Sequence, residues 1–113
     1  MSAAIKVTPS SGNVFADLNL PNPEERLVKA TIALSIGELI EKRGLTQEEA
    51  GTLLGLPQSS VSNLVRGKLE KFSIDRLLRY MRKLDYDVTI SFKLKPKSRE
   101  EATMTVEGTP ISA

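Results

Sequence analysis

The stretch from residue 45 to residue 67 reads LTQEEAGTLLGLPQSSVSNLVRG, and it predicts two short helices joined by a tight turn. Thr46 can cap the first helix, and Glu49 lies three residues further on, at the spacing of a capping box. Gly55 can end this helix in the left-handed conformation that glycine adopts readily. Pro57 can then set the start of the second helix, which is expected to end at Arg66 before a further glycine.

The second predicted helix has one apolar face and an unusual polar surface. Val61, Leu64 and Val65 share the apolar face, because residues three and four apart lie on one side of a helix. The remaining positions carry amides, hydroxyls and one cation: Gln58, Ser59, Ser62, Asn63 and Arg66. A helix that needed only solubility would more often carry Glu and Lys there. Short amides and hydroxyls can approach base edges, as when Gln or Asn pairs with adenine. The stretch therefore predicts a DNA-reading helix-turn-helix.

The two helices resemble those of the XRE family, the Cro-like and lambda-repressor-like DNA-binding domains. The resemblance covers about residues 36–84 and rests on two blocks, Thr46-Gln47-Glu48-Glu49-Ala50 and Gln58-Ser59-Ser60-Val61-Ser62. It implies an all-α fold, a lambda-repressor-like bundle of four to five helices, to which we add one C-terminal β-strand paired across a dimer. Pro57 departs from the family pattern, in which Ser or Thr commonly caps the reading helix. That departure concerns the first-turn phosphate contact and not the fold.

A narrower resemblance extends beyond the helix-turn-helix. The combination of Asn13–Leu18, Phe72–Leu78 and Tyr86–Val88 is similar to HigA-type antitoxins, which repress their own operon and neutralise a RelE-like ribonuclease toxin. This resemblance implies a sequence-specific repressor that serves as the antitoxin of a toxin-antitoxin pair. A transcriptional regulator without a toxin is the first alternative. A protein-interaction module of helix-turn-helix fold is the second.

The lambda-repressor-like resemblance also assigns DNA contacts residue by residue. The seven candidates are Gln47, Gln58, Ser59, Ser62, Asn63, Arg66 and Lys68. The four between positions 58 and 63 match positions that reach bases in the major groove. Gln47 matches a helix-start amide that holds both a phosphate and Gln58, although the capping box explains its presence equally well. Arg66 and Lys68 match the end of the reading helix and the next loop, where phosphates lie close. The expected ligand is a palindromic double-stranded operator.

Composition narrows the possible functions. The chain has 113 residues, a formal net charge of +2 and no Cys or His. These absences argue against zinc sites, disulfides, thiol nucleophiles and the usual general base. Pairs such as Glu24-Glu25 and Glu48-Glu49 lie at predicted helix starts, where the helix dipole explains them without catalysis. We therefore expect no enzyme, metal or cofactor. No apolar run approaches the roughly 20 residues of a membrane span, and no signal sequence is evident, so a cytoplasmic protein is expected.

Charge is unevenly distributed along the chain. Residues 66–99 contain eleven basic residues and four acidic ones. Such a concentration is expected of a surface that faces phosphates. A solvated helix face is the ordinary alternative explanation.

The rest of the chain predicts a domain of helices with two extensions: residues 1–12 as a flexible N-terminal arm, 13–95 as the DNA-binding domain with a dimerisation strand, and 96–113 as a tail. Asn22 is expected to cap a long helix that runs to Arg43. Its apolar stripe consists of Ile32, Ala33, Ile36, Leu39 and Ile40. Ser73 is expected to cap a later helix. That helix should bury Ile74, Leu77, Leu78, Met81 and Leu84 and expose Arg76, Arg79, Arg82 and Lys83.

Residues 88–94 predict a strand with one buried face. Val88, Ile90, Phe92 and Leu94 alternate with Thr89, Ser91 and Lys93, the period of two that strands show. A lone strand leaves its hydrogen-bonding edges open and needs a partner. The same strand of a second subunit is the favoured partner, which predicts a homodimer. The alternative is an internal hairpin with residues 103–106.

The N-terminal segment offers a place for a second protein partner. Val14, Phe15, Leu18 and Leu20 are apolar, although the minimal DNA-binding fold does not require this segment. The HigA-type resemblance implies that a basic RelE-like toxin binds the acidic and apolar surface around Asp17, Glu24 and Glu25, because complementary charge orients the encounter. Docking of these apolar residues on the chain's own helix is the alternative.

Overall fold

The computed structural model describes residues 5–6, 15 and 18–108. The elements, in chain order, are β1 (Ile5–Lys6), α1 (Pro23–Lys42), α2 (Gln47–Leu54), α3 (Gln58–Val65), α4 (Ile74–Lys83) and β2 (Glu107–Gly108). The predicted fold class, a small helical bundle with minor strand content, is confirmed. In the described part of the chain, no helix is both long and apolar enough to cross a bilayer.

Helix α1 is the longest element of the described chain and packs against α3 and α4. It begins at Pro23, with Glu24 and Glu25 in its first turn. The predicted cap at Asn22 is wrong in one respect: Asn22 precedes the helix, but its side chain accepts no capping hydrogen bond. A capping side chain reaches the first-turn N–H groups from extended backbone, whereas Asn22 has a left-handed φ of 52°. At the other end the helix stops at Lys42, just before Gly44, close to the predicted end.

The core forms where α1 meets the other helices. All five residues of the predicted α1 stripe are buried. From the later helices it receives Val61, Leu64 and Leu77, together with Leu84 at the end of α4. The remaining predicted inward residues of α4, Ile74, Leu78 and Met81, are half-buried and pack against this core. The predicted cap of α4 is confirmed, since Ser73 Oγ accepts a hydrogen bond from the Arg76 backbone N–H at 3.1 Å.

One outward prediction for this region is corrected by packing against aromatic rings four residues away. Phe72 and Tyr80 are buried and meet edge to face, with ring centroids 6.2 Å apart. The guanidinium of Arg76 lies 5.2 Å from the Phe72 ring centroid, and it donates a 2.8 Å hydrogen bond to the Tyr80 hydroxyl. Arg76 was predicted to be exposed but is half-buried. The attraction between a cation and aromatic faces accounts for this position.

Val65 is also placed differently from its prediction. It was assigned to the buried face of α3, yet 39% of its surface is exposed. Val61 and Leu64 occupy the centre of the contact with the bundle, and Val65 falls at its edge because each helical residue advances by about 100°.

The strand predicted at residues 88–94 does not form within the chain. Residues 87–105, here called the long loop, contain no helix or strand. In the described part of the chain, residues 88–95 exchange no backbone hydrogen bond with one another or with another segment. Three of the four residues of the predicted buried face are instead exposed: Ile90 by 67%, and Phe92 and Leu94 by 94% each. The segment has no backbone hydrogen-bonding partner among the described residues, and a strand is defined by its partner.

The internal hairpin is also not formed among the described residues. A turn does reverse the long loop, where the Arg99 N–H donates to the Pro96 carbonyl at 3.2 Å. Beyond the turn the chain returns to the bundle, and Val106 packs against the core. The chain then pairs β2 with β1 in antiparallel register, Ile5 opposite Gly108 and Lys6 opposite Glu107. This pairing joins parts of the segments predicted as arm and tail, while the proposed domain division remains a prediction.

The segment before α1 is described in part. Phe15 is half-buried, and its carbonyl accepts a 3.0 Å hydrogen bond from the Leu20 N–H. Leu18 and Leu20 are exposed. Val14 and Asp17, which belong to the predicted partner surface, lie outside the described residues.

Candidate nucleic-acid interface

The start of α2 is held by the predicted capping box. Thr46 Oγ1 accepts a hydrogen bond from the Glu49 N–H at 3.0 Å, and Glu49 Oε1 accepts one from the Thr46 N–H at 2.8 Å. Two of the backbone groups that a helix start leaves open are therefore satisfied. Gln47, the first residue of α2, is half-buried beside this cap.

The turn between α2 and α3 depends on two glycines. Gly55 has a φ of 76°, a conformation that costs other residues free energy. Gly51 is needed for space, because a Cβ atom at this position would collide with the backbone carbonyl of Leu56. The Leu56 N–H in turn donates to the Gly51 carbonyl at 2.8 Å. This close approach packs the turn directly against α2.

Helix α3, the reading helix, starts without a side-chain cap. Pro57 is its N-cap residue and makes no side-chain hydrogen bond. Its carbonyl accepts from the N–H groups of Ser60 and Val61, at 3.0 and 3.1 Å. In the described part of the chain, the backbone N–H groups of Gln58 and Ser59 donate to no backbone carbonyl. Pro57 therefore supplies no capping hydroxyl at the helix start. The N–H groups of Gln58 and Ser59 stay available to donate hydrogen bonds to an external anion.

The polar face of the reading helix is available to a ligand. Val61 and Leu64 anchor the helix in the core, which leaves Gln58, Ser59 and Asn63 exposed and Ser62 half-buried. Arg66 and Lys68 follow on the exposed side. Within the described residues, none of the seven candidate side chains makes a hydrogen bond or ion pair. The contact between Gln47 and Gln58 that the family resemblance implied is accordingly not formed here.

The end of the reading helix fixes the loop that carries Lys68. Gly67, with a φ of 80°, donates to the Leu64 carbonyl at 3.2 Å, and the Lys68 N–H donates to the Asn63 carbonyl at 2.8 Å. This pair of bonds is a Schellman motif. It holds the Lys68 backbone against the turn that carries Asn63, so the backbones of these two candidate residues are fixed relative to each other.

The cationic stretch serves more than one purpose. Arg76 stacks on aromatic rings, Lys83 donates to the Leu54 carbonyl at 3.3 Å, and Arg79 pairs with Asp75 at 2.9 Å. These three basic side chains are already bound to other groups of the protein. Close to the reading helix, the side chains of Arg66, Lys68 and Lys71 make no ion pair or hydrogen bond within the described residues. Only part of the stretch predicted from charge alone is therefore free to face phosphates.

Comparison with known proteins agrees with this architecture. A family model described as a helix-turn-helix domain matches residues 14–93. A solved structure described as an XRE family transcriptional regulator is 40% identical in sequence and superimposes with a TM-score of 0.71. The similarity covers 76% of this chain and 97% of that chain. Among curated proteins, no significant match was found. The chain therefore belongs to the helix-turn-helix domain family and is of the XRE type.

Proposed function

We propose that this chain is a sequence-specific repressor that binds a palindromic operator as a homodimer. Its membership of a family of DNA-binding transcription regulators supports this proposal. We further propose that it is the antitoxin of a toxin-antitoxin pair and represses its own operon. A protein that acts on an operator works where the DNA is, so the proposal includes cytoplasmic residence. It includes no catalytic role.

The observation that carries the repressor proposal is the unused polar face of the reading helix. Gln58, Ser59 and Asn63 are exposed, and their side chains have no partner among the described residues. Such groups gain little on an idle surface, whereas amides and hydroxyls suit hydrogen bonding to base edges in the major groove. A helix-turn-helix that had become a protein-interaction module would not need to retain them. DNA reading is therefore favoured over that alternative.

The test is operator binding by reading-helix variants. After footprinting of the promoter, Gln58→Ala and Asn63→Ala should each weaken binding to the footprinted site by about 1–3 kcal/mol for a lost base contact, with a smaller loss on a scrambled duplex. Thr52→Ala is a matched control, because its hydroxyl is exposed but bonds to the Glu48 carbonyl of its own helix. An equal loss on both duplexes would remove the residue from base reading.

Lys68 should behave differently from the amides. A phosphate contact releases counterions whatever the sequence, so Lys68→Ala should weaken both duplexes alike and reduce the salt slope of binding by about 1. Titration between low and physiological salt measures this slope. A slope equal to that of the unaltered protein would place Lys68 outside the interface.

The long loop supports the homodimer. It presents three large apolar side chains to solvent, and residues 88–95 form no backbone ladder among the described residues. Pairing with the same segment of a second subunit would satisfy those edges. Replacing Ile90 and Phe92 together with Lys should give a monomer by light scattering, with the helical circular dichroism unchanged. The matched control replaces Thr89 and Ser91 with Lys, which adds the same charge on the alternate face and should leave a dimer. A persistent dimer in the first variant would move the interface elsewhere.

The antitoxin role is supported by the HigA-type resemblance and by the surface before α1. Leu18, which could have docked on the chain's own helix, is 65% exposed, and Glu25 is exposed in the first turn of α1. A basic toxin would find both apolar contact and complementary charge there. The test is co-expression with the product of the adjacent small gene, followed by co-purification and a growth assay. If that product is neither bound nor neutralised, the chain is a regulator without a toxin.

A further inference from the structure

An apolar groove lies between α1 and the end of the reading helix. Its volume is about 660 Å³, and Leu34, Gly37, Val65 and Leu69 contribute apolar surface to it. Leu34 is 60% exposed and Val65 is 39% exposed. Large apolar side chains that surround a concave surface are typical of a protein-protein contact.

Glycine at position 37 leaves open the part of the groove that faces Val65. A Cβ atom at Gly37 would lie 3.9 Å from Val65 Cγ1, in ordinary van der Waals contact. Glycine in the middle of a helix is otherwise unfavourable, since it lowers helix stability relative to alanine. At position 37, the lower helix stability of glycine accompanies the open space beside Val65.

The rim of the groove is complementary in charge to the long loop. Glu38 and Glu41 line the groove and are exposed, and neither has an ion-pair partner among the described residues. In the long loop, Lys93 and Lys97 are likewise unpaired within the described part, while Lys95 donates to the Arg99 carbonyl at 2.7 Å. Arg66 also lines the groove, so the acidic character belongs to the α1 side.

The apolar strip of the long loop, defined as Ile90, Phe92 and Leu94, needs a cover that strand pairing does not supply. Two paired strands satisfy only the backbone edges that face each other and leave one apolar face exposed, and an isolated two-stranded ribbon is at best marginally stable in water. Packing against a helix is one way to stabilise it. The groove beside α1 offers such a surface, but within one chain the strip and the groove do not meet, since Phe92 and Leu94 are 94% exposed.

We propose that the groove of each subunit receives the apolar strip of a second copy of this chain. Phe92 and Leu94 enter between Leu34 and Val65 of the other subunit. The long side chains of Lys93 and Lys97 extend towards the rim carboxylates of Glu38 and Glu41. The inference rests on the proposed homodimer and names the surface that completes it. Because Arg66 lines the same groove, the contact also positions one subunit's reading helix against the other subunit.

Disulfide trapping tests the contact directly, because the chain has no native cysteine. A full-length Leu34→Cys variant is mixed with a differently tagged Phe92→Cys variant, the subunits are allowed to exchange, and the mixture is oxidised. A covalent heterodimer is expected. The control replaces Leu34→Cys by Leu18→Cys, which has a similar exposure of 65% but lies outside the groove, and should give no such product.

The outcomes separate this inference from the proposed homodimer. Light scattering reports the dimer, and operator footprinting reports DNA binding. If the protein is a dimer but the only disulfide joins two Phe92→Cys subunits, strand pairing is retained and the groove contact is overturned. A monomer overturns both. A Leu34→Cys link that forms only with a co-expressed neighbouring gene product overturns the proposal and assigns the groove to a toxin.

A charge exchange gives a second readout that does not require cysteine chemistry. Reversing Glu38 and Glu41 to Lys should raise the dimer dissociation constant about threefold to tenfold, as expected for two exposed ion pairs. Adding Lys93→Glu and Lys97→Glu to the same chain should restore it. If the fourfold variant dissociates as readily as the twofold one, these charges do not meet.

Discussion

The helical body, residues 23–84, and the long loop use the same kinds of apolar residue with opposite results. In the body, Ile36, Leu64 and Leu77 expose at most 1% of their surface. In the long loop, Phe92 and Leu94 are 94% exposed. A helix satisfies its own backbone hydrogen bonds and needs only one face covered, which neighbouring helices of a short chain can supply. An extended segment needs hydrogen-bonding partners as well as a cover. The body is therefore complete within one chain, and the long loop is not.

The largest effect should come from removing core volume in the body. Leu77→Ala should lower the free energy of unfolding by about 2–5 kcal/mol, because it removes buried contacts and leaves a cavity. Leu94→Ala makes the same chemical change in the long loop and should alter stability by no more than about 0.5 kcal/mol at concentrations where the protein is monomeric. Urea denaturation measures both. A comparable loss at Leu94 would show that the long loop has a core of its own.

The next effect concerns the two glycines that shape the body. Gly51→Ala should destabilise the protein by about 1–3 kcal/mol, since the added methyl group collides with backbone at Leu56 and backbone cannot simply rotate away. Gly37→Ala is the matched control, because its methyl group meets only ordinary contacts and improves helix propensity. It should stabilise the monomer by about 0.5–1 kcal/mol. Equal losses in both variants would contradict the assignment of Gly51 to close packing.

A smaller effect is expected at the start of α2. Thr46→Ala removes one half of the capping box and should cost about 1 kcal/mol. Thr52→Ala, in the same helix, removes a hydroxyl that bonds only to the Glu48 carbonyl one turn earlier and should be close to neutral. Thermal and urea unfolding of the two variants compare a cap with an ordinary helix position. If they match, the box adds nothing beyond helix propensity.

The smallest effect should come from the exposed ion pair on α4. Asp75 and Arg79 lie 2.9 Å apart at a spacing of four residues, and both are exposed to solvent. A double-mutant cycle with Asp75→Asn and Arg79→Gln should give a coupling of about 0.3–0.5 kcal/mol that decreases with salt. The pair Glu25 and Lys29, at 3.9 Å, should couple less. Strong coupling at either pair would mean that surface charge contributes more to the body than packing arguments suggest.

Much of the body could be predicted because its signals are local. The hydroxyls of Thr46 and Ser73 cap helices over distances of three residues, and the glycines at 44, 55 and 67 all adopt left-handed backbone where the chain leaves a helix. The buried stripe of α1 follows from helical spacing alone. Asn22 shows the limit of local inference, because its residue type suits a cap but its backbone conformation does not.

The candidate site was predicted less completely than the fold. Its polar residues could be named from the reading helix, and the structure brings Gln58, Ser59 and Asn63 to one exposed surface. Charge alone could not show which cations are free, since Lys83 binds the Leu54 carbonyl of another helix and Arg76 stacks on Phe72 and Tyr80. The role of Gly37 in the groove could not be predicted from the sequence, because it depends on contact with Val65, 28 residues away.

The sequence by itself determined where the helices begin and end, which faces they bury and which helix presents amides to solvent. These properties depend on residues three or four positions apart, so they can be inferred from spacing. Only the tertiary structure decided that Lys83 binds the Leu54 carbonyl, that Val65 borders a groove and that the apolar strip of the long loop finds no cover in its own chain. Those outcomes depend on contacts between residues far apart in sequence, and for the long loop on groups that a single chain does not supply.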